Sequence, residues 1–230
     1  MNKGGARAVS SALKKRAVEG LGRLRKLYPE AECALIHRDP WQLLVSTILS
    51  AQCTDARVNA VTPALFLRFP AAADMAAAQP EEVEELVKSC GFYRQKSASL
   101  ISMSQDVVAK FGGTVPGTLE ELTSLRGVGR KTANVVIGVG FGGAGVVVDT
   151  HVNRISRRLG WTKNSAPEKI EQDLMRLFPP DDWTLMGLTL IQHGRALCNA
   201  RSPKCELCPL LDLCPAGTKL LAKRKIQSAS

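Results

Sequence analysis

Apolar residues in this chain recur at the three- and four-residue spacing of amphipathic helices. The stretch after Asp39 and Pro40 shows this clearly, because Asp is a favoured helix cap, Pro suits the first helical position, and apolar residues fill most of 43–49. Further helical stretches lie between glycine or proline breaks, at 80–90, 97–110, 152–159 and 183–198. We find no convincing hairpin of alternating strands. The pattern therefore predicts an all-α fold of about nine or ten helices.

Two more helix starts have the spacing of a capping box, in which a hydroxyl and a carboxylate three residues apart satisfy each other's backbone groups. One is Thr118 with Glu121, and the other is Ser165 with Glu168. The longest apolar stretch, 133–148, contains Asn134 and five glycines. We therefore interpret it as a buried helix followed by a turn, and exclude a membrane span.

Composition narrows the class of protein. Of the 230 residues, 45% are hydrophobic and 23% are charged, so a wholly disordered chain, a collagen and a coiled-coil rod are excluded. Lys and Arg number 31 against 21 Asp and Glu, which gives a net charge of +10. Such a surplus is typical of proteins that bind nucleic acid, although a solubilising surface charge is the alternative. The basic residues crowd both ends of the chain: Lys3, Arg7, Lys14, Lys15, Arg16, Arg23, Arg25, Lys26, Lys219, Lys223, Arg224 and Lys225.

The first twenty residues contain no apolar core of the kind that a secretory signal requires. We therefore expect a cytoplasmic protein with reduced thiols, associated with the nucleoid if the source is bacterial. Because Glu19 is the one acidic residue of this stretch, its composition also matches a weak organellar transit peptide.

The segment 118–139 predicts two helices joined by a tight turn. The turn contains Gly127 and Gly129, which can adopt positive φ and bring bare backbone close to another surface, and the second helix opens near Arg130. Its first N–H groups would form an anion site, so we interpret the segment as a helix-hairpin-helix that binds phosphate. A purely structural pair of helices is the alternative.

Lys131 and Asp149 are candidate catalytic residues. Lys131 lies in the first turn of the second hairpin helix, where the positive end of the helix dipole disfavours an ammonium and favours an amine nucleophile. An ordinary phosphate contact is the commoner role for such a lysine. Asp149 precedes a predicted helix, so it suits a plain N-cap, and a capping carboxylate can also balance positive charge or move a proton.

Four of the seven cysteines form a metal-binding pattern near the end of the chain. Cys198, Cys205, Cys208 and Cys214 have the spacing C-x6-C-x2-C-x5-C. Four thiolates suit either structural zinc or an iron–sulfur cluster, and the spacing leaves both open. The remaining cysteines are dispersed in apolar helical surroundings and are predicted to be buried thiols: Cys33, Cys53 and Cys90.

These features together resemble the endonuclease III family of DNA base-excision repair enzymes. The segments LRGVGRKTANVV, VVVDTHVNRISRRLG and LLVSTILSAQCTD and the cysteine array carry the resemblance, which covers the chain from near Leu21 to Cys214. It implies the helix-hairpin-helix DNA glycosylase fold, with two all-α lobes and a DNA-binding cleft between them. One lobe would be a six-helix barrel at 33–143 that includes the hairpin. The other would combine 1–32 with 144–230 and hold a [4Fe-4S] cluster on the four cysteines.

The resemblance also implies the chemistry. An oxidised pyrimidine would be flipped out of duplex DNA, Lys131 would attack C1′ and expel the base, and β-elimination would cleave the abasic site. Asp149 would stabilise the developing cation or assist proton transfer. The expected partner is double-stranded DNA that carries damaged bases or abasic sites. We expect the protein to act as a monomer and not to bind a membrane. The implied DNA contacts are Gln52, Phe92, Gly127, Gly129, Arg130, Arg201 and Lys204.

Two residues depart from the family pattern. Phe92 occupies the position where relatives usually insert an aliphatic wedge, and an aromatic side chain can also intercalate. Arg126 replaces the proline that is common in the hairpin, so we expect a looser turn and an additional phosphate contact. Two other functions remain as alternatives. One is a monofunctional mismatch glycosylase, which would lack a lysine at the position of Lys131, and the other is a non-catalytic, metal-stabilised DNA-binding module.

Overall fold

The computed structural model describes residues 9–228, and within them the chain forms twelve α-helices and no β-strand. The all-α prediction is confirmed. Lys3 and Arg7 of the basic N-terminal segment lie outside the described residues. The helices are α1 (Ser11–Leu27), α2 (Pro40–Leu49), α3 (Asp55–Arg68), α4 (Ala72–Ala76), α5 (Pro80–Val87), α6 (Tyr93–Phe111), α7 (Leu119–Thr123), α8 (Arg130–Val135), α9 (Thr150–Arg158), α10 (Pro167–Leu177), α11 (Trp183–Ala196) and α12 (Pro215–Ser228).

Several helix starts follow from the capping residues. The Asp39 side chain accepts a hydrogen bond of 2.8 Å from the Gln42 N–H and begins α2. Thr118 does the same for α7. The prediction for Ser165 was wrong, because α10 begins at Pro167 and Ala166 is its N-cap. Proline at the first helical position fixes the backbone there without help from a side-chain cap.

The chain divides into two compact units, and each has its own core. The first unit is Cys33–Gly145 and contains α2 to α8. Its centre is α2, on which eight of ten residues are buried. After α8 the chain makes a π-helical turn, Val136–Gly140, and then folds back on α8. A Cβ at Gly145 would lie 2.2 Å from the Asn134 carbonyl oxygen, so this close return of the backbone requires glycine.

The second unit combines the residues up to Glu32 with those from Val146 onward. Its core includes the aromatic pair Trp161 and Phe178, whose ring centroids are 5.0 Å apart. Arg23 of α1 donates hydrogen bonds to both carboxylate oxygens of Asp212 and to the Pro209 carbonyl. These bonds tie the N-terminal helix to the cysteine-rich segment. The sequence-based division at 143 differs from the structural boundary by two residues.

Among the described helices, none combines the length and the apolarity that a membrane span requires.

Candidate functional site

The hairpin between α7 and α8 has the backbone that its glycines permit. Gly127 has a φ of +78°, a conformation that favours glycine. Gly129 instead has extended backbone as the N-cap of α8, and a Cβ built there would meet no atom within 4 Å. Leu125 and Val128 are buried and fix the turn from inside. Gly129 is exposed, so its backbone is open to a ligand.

Arg126 anchors this turn, so the looser turn expected from the missing proline was wrong, whereas the additional phosphate contact stays a prediction. The Asp106 carboxylate on α6 accepts hydrogen bonds from the Arg126 backbone N–H at 2.8 Å and from Nε at 3.0 Å. Lys110 of α6 also reaches the hairpin, because its Nζ donates to the Ser124 carbonyl at 2.8 Å. The hydrogen bond from the Arg126 side chain lowers the pKa of Asp106. The turn is held by a charged clamp from α6.

Lys131 is exposed in the first turn of α8. Within residues 9–228, no side chain pairs with its ammonium group. The neighbouring Arg130 is exposed too. In the described part of the chain, the hairpin therefore presents an amine without a side-chain partner, in the same compact unit as Gln52 and Phe92.

Asp149 is the N-cap of α9, as the alternative interpretation predicted. Its Oδ1 accepts hydrogen bonds from the His151 N–H at 2.9 Å and the Val152 N–H at 2.7 Å. Its Oδ2 lies 3.0 Å from His151 Nδ1. The side chain is 16% exposed. Both oxygens are therefore held by partners, and no local pattern predicted the contact with His151.

The four cysteines line a single cavity of about 330 Å³ in the second unit. Burial raises the pKa values of Cys205, Cys208 and Cys214, and the neighbouring thiols raise them further. Four clustered thiols repel one another as thiolates, so a cationic metal centre supplies the charge that their ionisation needs. Among the described residues, no three metal-binding side chains converge closely enough for a single ion. Four cysteine side chains around one cavity are the ligand set that an iron–sulfur cluster uses.

Two arginines of α9 hold the loop between the first two cysteines. Arg158 donates from Nη1 to the Asn199 carbonyl at 2.8 Å and from Nη2 to the Ala200 carbonyl at 2.8 Å. Its Nη1 also lies 3.2 Å from the Cys198 Sγ. Arg154 donates from Nε to the Cys198 carbonyl at 3.1 Å. Helix α9 therefore begins at the Asp149 cap and holds the cysteine loop through its arginine side chains. The sequence analysis predicted neither of these arginine contacts.

His193 of α11 completes the surroundings of the cavity. It is 2% exposed, and burial lowers its pKa to about 4, so the imidazole is neutral at pH 7. Its Nε2 lies 3.6 Å from Cys208 Sγ, and its Nδ1 lies 3.1 Å from the Tyr28 hydroxyl. Arg201 and Lys204, the predicted phosphate ligands, are exposed on the loop that lines the same cavity.

Gln52 and Phe92 share a backbone conformation that is rare for residues other than glycine. In the described part of the chain they are the two residues other than glycine with positive φ, at 52° and 47°. Such a conformation is strained for these residue types and clusters at functional sites. Gln52 is exposed, and Phe92 is 64% exposed although it is a large apolar residue. Both side chains project from sharp turns in the first unit.

Two family models match this chain, one over its central part and one over the cysteine array. Residues 45–180 match the model of the HhH-GPD superfamily base excision DNA repair protein. Residues 198–214 match the iron-sulfur binding domain of endonuclease III. The second match covers all four cysteines of the cavity.

Individual relatives extend the similarity over most of the chain. Endonuclease III of Synechocystis sp. is 53% identical over 89% of this chain and 94% of its own length. Endonuclease III of Bacillus subtilis is 46% identical over 86% of this chain and 91% of its own. The solved structure of a trapped endonuclease III–DNA covalent intermediate, an estranged-adenine complex, has a TM-score of 0.86 and 42% identity. The matched region covers 90% of this chain and 98% of the endonuclease III chain in that structure.

The charged clamp on the hairpin generates a first prediction. Asp106→Asn will lower the free energy of unfolding by about 1–2 kcal/mol at pH 7, because it removes the charge that Arg126 binds. The pKa of Asp106 is lowered in the folded state, so its stabilisation is present above the ordinary value of about 3.9 and is lost as the pH falls through the folded value. The difference between wild type and variant, measured by urea unfolding at several pH values, will therefore shrink in acid.

Glu81→Gln is the matched control, since Glu81 is an exposed acid at the start of α5. It will leave the stability nearly unchanged. An equal loss in both variants would contradict the clamp.

The cavity generates a second prediction. Purified protein will be brown, with broad visible absorbance, and Cys208→Ala will remove most of the colour and the bound iron because one ligand is lost. Cys33→Ala, which changes a cysteine of the other unit, will keep both. Iron analysis and the visible spectrum measure the outcome, and a colourless protein with stoichiometric zinc would overturn it.

Proposed function

The chain belongs to the endonuclease III family of base excision DNA repair proteins, and we propose that it removes oxidised pyrimidines from duplex DNA. It is a bifunctional DNA glycosylase and abasic-site lyase, and it carries a [4Fe-4S] cluster. The observation that supports a particular nucleophile is the exposed Lys131, two residues after Gly129, whose ammonium group has no side-chain partner within residues 9–228. A relative trapped as a covalent DNA intermediate is consistent with a nucleophile of this kind.

We assign the bond-making step to Lys131. Its neutral amine attacks C1′ of the damaged nucleotide, a C–N bond forms, and the bond from C1′ to the base breaks. The amine gives up its two protons, one to the departing base and one to O4′ as the C1′–O4′ bond breaks, and the opened sugar is then held as an imine to the lysine. This imine acidifies the C2′ proton, and its removal breaks the bond between C3′ and the phosphate oxygen. Water finally hydrolyses the imine and restores the lysine.

We assign a charge-stabilising role to Asp149. The attack on C1′ builds positive charge on the sugar, which a fixed carboxylate stabilises. The two backbone donors and His151 hold this carboxylate in one orientation, so it needs little rearrangement during the reaction. An oriented carboxylate can also accept a proton.

We assign the binding of DNA to the hairpin, the cysteine loop and the two strained turns. Gly127, Gly129 and Arg130 would bind the phosphate backbone, and Arg201 and Lys204 would bind further phosphates. Gln52 would fill the gap left by the flipped base, and Phe92 would wedge between neighbouring bases. The exposure of all these residues supports the assignment.

We propose Cys198, Cys205, Cys208 and Cys214 as the ligands of the cluster. When bound, the cluster supplies a rigid link between four points of the C-terminal segment. Arg158 and Arg154 then hold the loop that carries Arg201 and Lys204. We further propose that the protein acts as a monomer, because every assigned residue is supplied by one chain. Its proposed location is the cytoplasm, in association with the nucleoid if the source is bacterial.

Lys131→Gln tests the nucleophile. We expect strand cleavage of duplex DNA with an oxidised pyrimidine to fall by more than about a thousandfold, because the substitution removes the amine that forms the imine. Borohydride trapping of wild type will give a covalent adduct on both an oxidised pyrimidine and an abasic site, and the variant will give none. Affinity for an uncleavable abasic analogue will fall by less than about tenfold.

Lys169→Gln is the control, since Lys169 is an exposed lysine on α10 and its loss changes the charge equally. Trapping on the abasic site alone would restrict the protein to lyase activity. Base release without an adduct in wild type would favour a monofunctional glycosylase, and neither activity would favour a binding module.

Asp149→Asn separates catalysis from capping. The amide oxygen of Asn can still cap α9, so we expect stability to change by less than about 1 kcal/mol. Loss of the charge will slow base release by about a hundredfold or more. Asp39→Asn makes the same change at the cap of α2 and will leave the rate unchanged. A large loss of stability in Asp149→Asn, with a normal rate per folded molecule, would show that Asp149 is only a cap.

A further inference from the structure

A buried lysine lies behind the turn that exposes Phe92. Lys96 is the fourth residue of α6 and is 6% exposed. Other residues of the same helix pack in the core of the first unit, among them Leu100 and Met103. The assigned reaction steps and DNA contacts do not use Lys96, so its role is open.

The position of Lys96 is unfavourable for a positive charge. Burial removes water from the ammonium group, and a buried charge is costly unless a partner compensates it. Lys96 also lies in the first turn of α6, where the positive end of the helix dipole opposes a cation. Residues that break local rules in this way are expected at functional sites.

The side chain of Lys96 reaches back across the turn. Its Nζ donates a hydrogen bond of 2.7 Å to the carbonyl of Cys90, six residues earlier in the chain. Its backbone N–H donates a hydrogen bond of 3.0 Å to the Phe92 carbonyl. Lys96 therefore holds the backbone on both sides of Gly91.

The two residues between these bonded carbonyls and α6 have positive φ. The angle is 66° at Gly91 and 47° at Phe92. Glycine adopts such a conformation readily, whereas phenylalanine keeps it only where the surrounding structure holds it. Phe92 is the N-cap of α6 and makes no capping hydrogen bond with its side chain. The bond from Lys96 to the Cys90 carbonyl therefore acts as the tether of this turn.

We propose that Lys96 is a positioning residue that holds the Phe92 turn in its left-handed conformation and so fixes the direction of the aromatic ring. The ring is 64% exposed, so few contacts of its own hold it in place. A wedge that is ordered before it meets DNA loses less conformational freedom on entering the base stack. This effect on DNA rests on the proposed function of Phe92, whereas the ordering of the turn does not.

Hydrogen exchange of the cluster-loaded protein tests the tether. Lys96→Met keeps a long unbranched side chain and removes the charge and the donor. We expect the backbone amides of residues 91–96 to exchange at least about tenfold faster in this variant, with the amides of α11 unchanged. Lys88→Met makes the same change at a lysine two residues before Cys90, whose side chain is 62% exposed, and will leave the exchange as in wild type.

Two results would overturn the tether. One is equal exchange of residues 91–96 in Lys96→Met and wild type. The other is faster exchange throughout the first unit, which would show that Lys96 supports the whole core and not this turn.

The fluorescence of 2-aminopurine tests the effect on DNA. This base is placed beside an uncleavable abasic analogue in duplex DNA, where its fluorescence rises when a wedge unstacks it. At saturating protein, we expect wild type and Lys88→Met to give the full rise and Lys96→Met to give less than about half of it. In a Phe92→Ala background, Lys96→Met will cause no further change, because it acts through the ring. A further loss in that background would overturn the positioning role.

Phe92→Ala alone separates the two proposals. If it gives the same fluorescence as wild type, the wedge role of Phe92 is overturned, and the exchange result on the turn still stands. If it abolishes the rise while Lys96→Met keeps the rise in full, the effect of Lys96 on the wedge is overturned instead.

Discussion

The start of a helix is the constraint on which the assigned sites depend. Lys131 lies in the first turn of α8, Asp149 caps α9, and Phe92 is the N-cap of α6. Gln52 stands two residues before Thr54, the N-cap of α3. A helix start leaves backbone N–H groups unpaired and fixes the direction of the side chains around it. The buried faces of these helices pack in two cores, which holds the groups at the helix starts in position.

The sequence analysis predicted features that neighbouring residues determine, and it missed a contact between residues that are far apart in the chain. The caps at Asp39 and Thr118 and the positive φ of Gly127 follow from residues a few positions apart. The partner of Arg126 lies twenty positions away on α6, so no local pattern indicated it, and the turn was predicted to be loose. The family resemblance, the all-α fold and the cluster are confirmed. The roles of individual site residues stay predictions, because geometry shows exposure and contacts but not chemistry.

The cysteine array shows the same difference between what a local pattern predicts and what distant residues contribute. Spacing alone predicted a metal site but left zinc and iron–sulfur open. The structure adds the cavity around which the thiols lie and the residues that surround it. Arg158, Arg154 and His193 come from helices α9 and α11, which precede the last three cysteines in the chain. Their contribution is tertiary, and a reading of the cysteine segment by itself cannot find it.

The second unit is built from two separate segments of the chain, and this affects the order in which its parts can fold during synthesis. Cys33–Gly145 is continuous, so it can fold as soon as its last residue leaves the ribosome. Helix α1 is made first, yet Asp212, which binds its Arg23, is made near the end. At about 5–20 residues per second, α1 waits many seconds with its apolar face unpaired. Helix α1 is therefore among the last described helices to find its place, and the cluster can form only once Cys214 has been made.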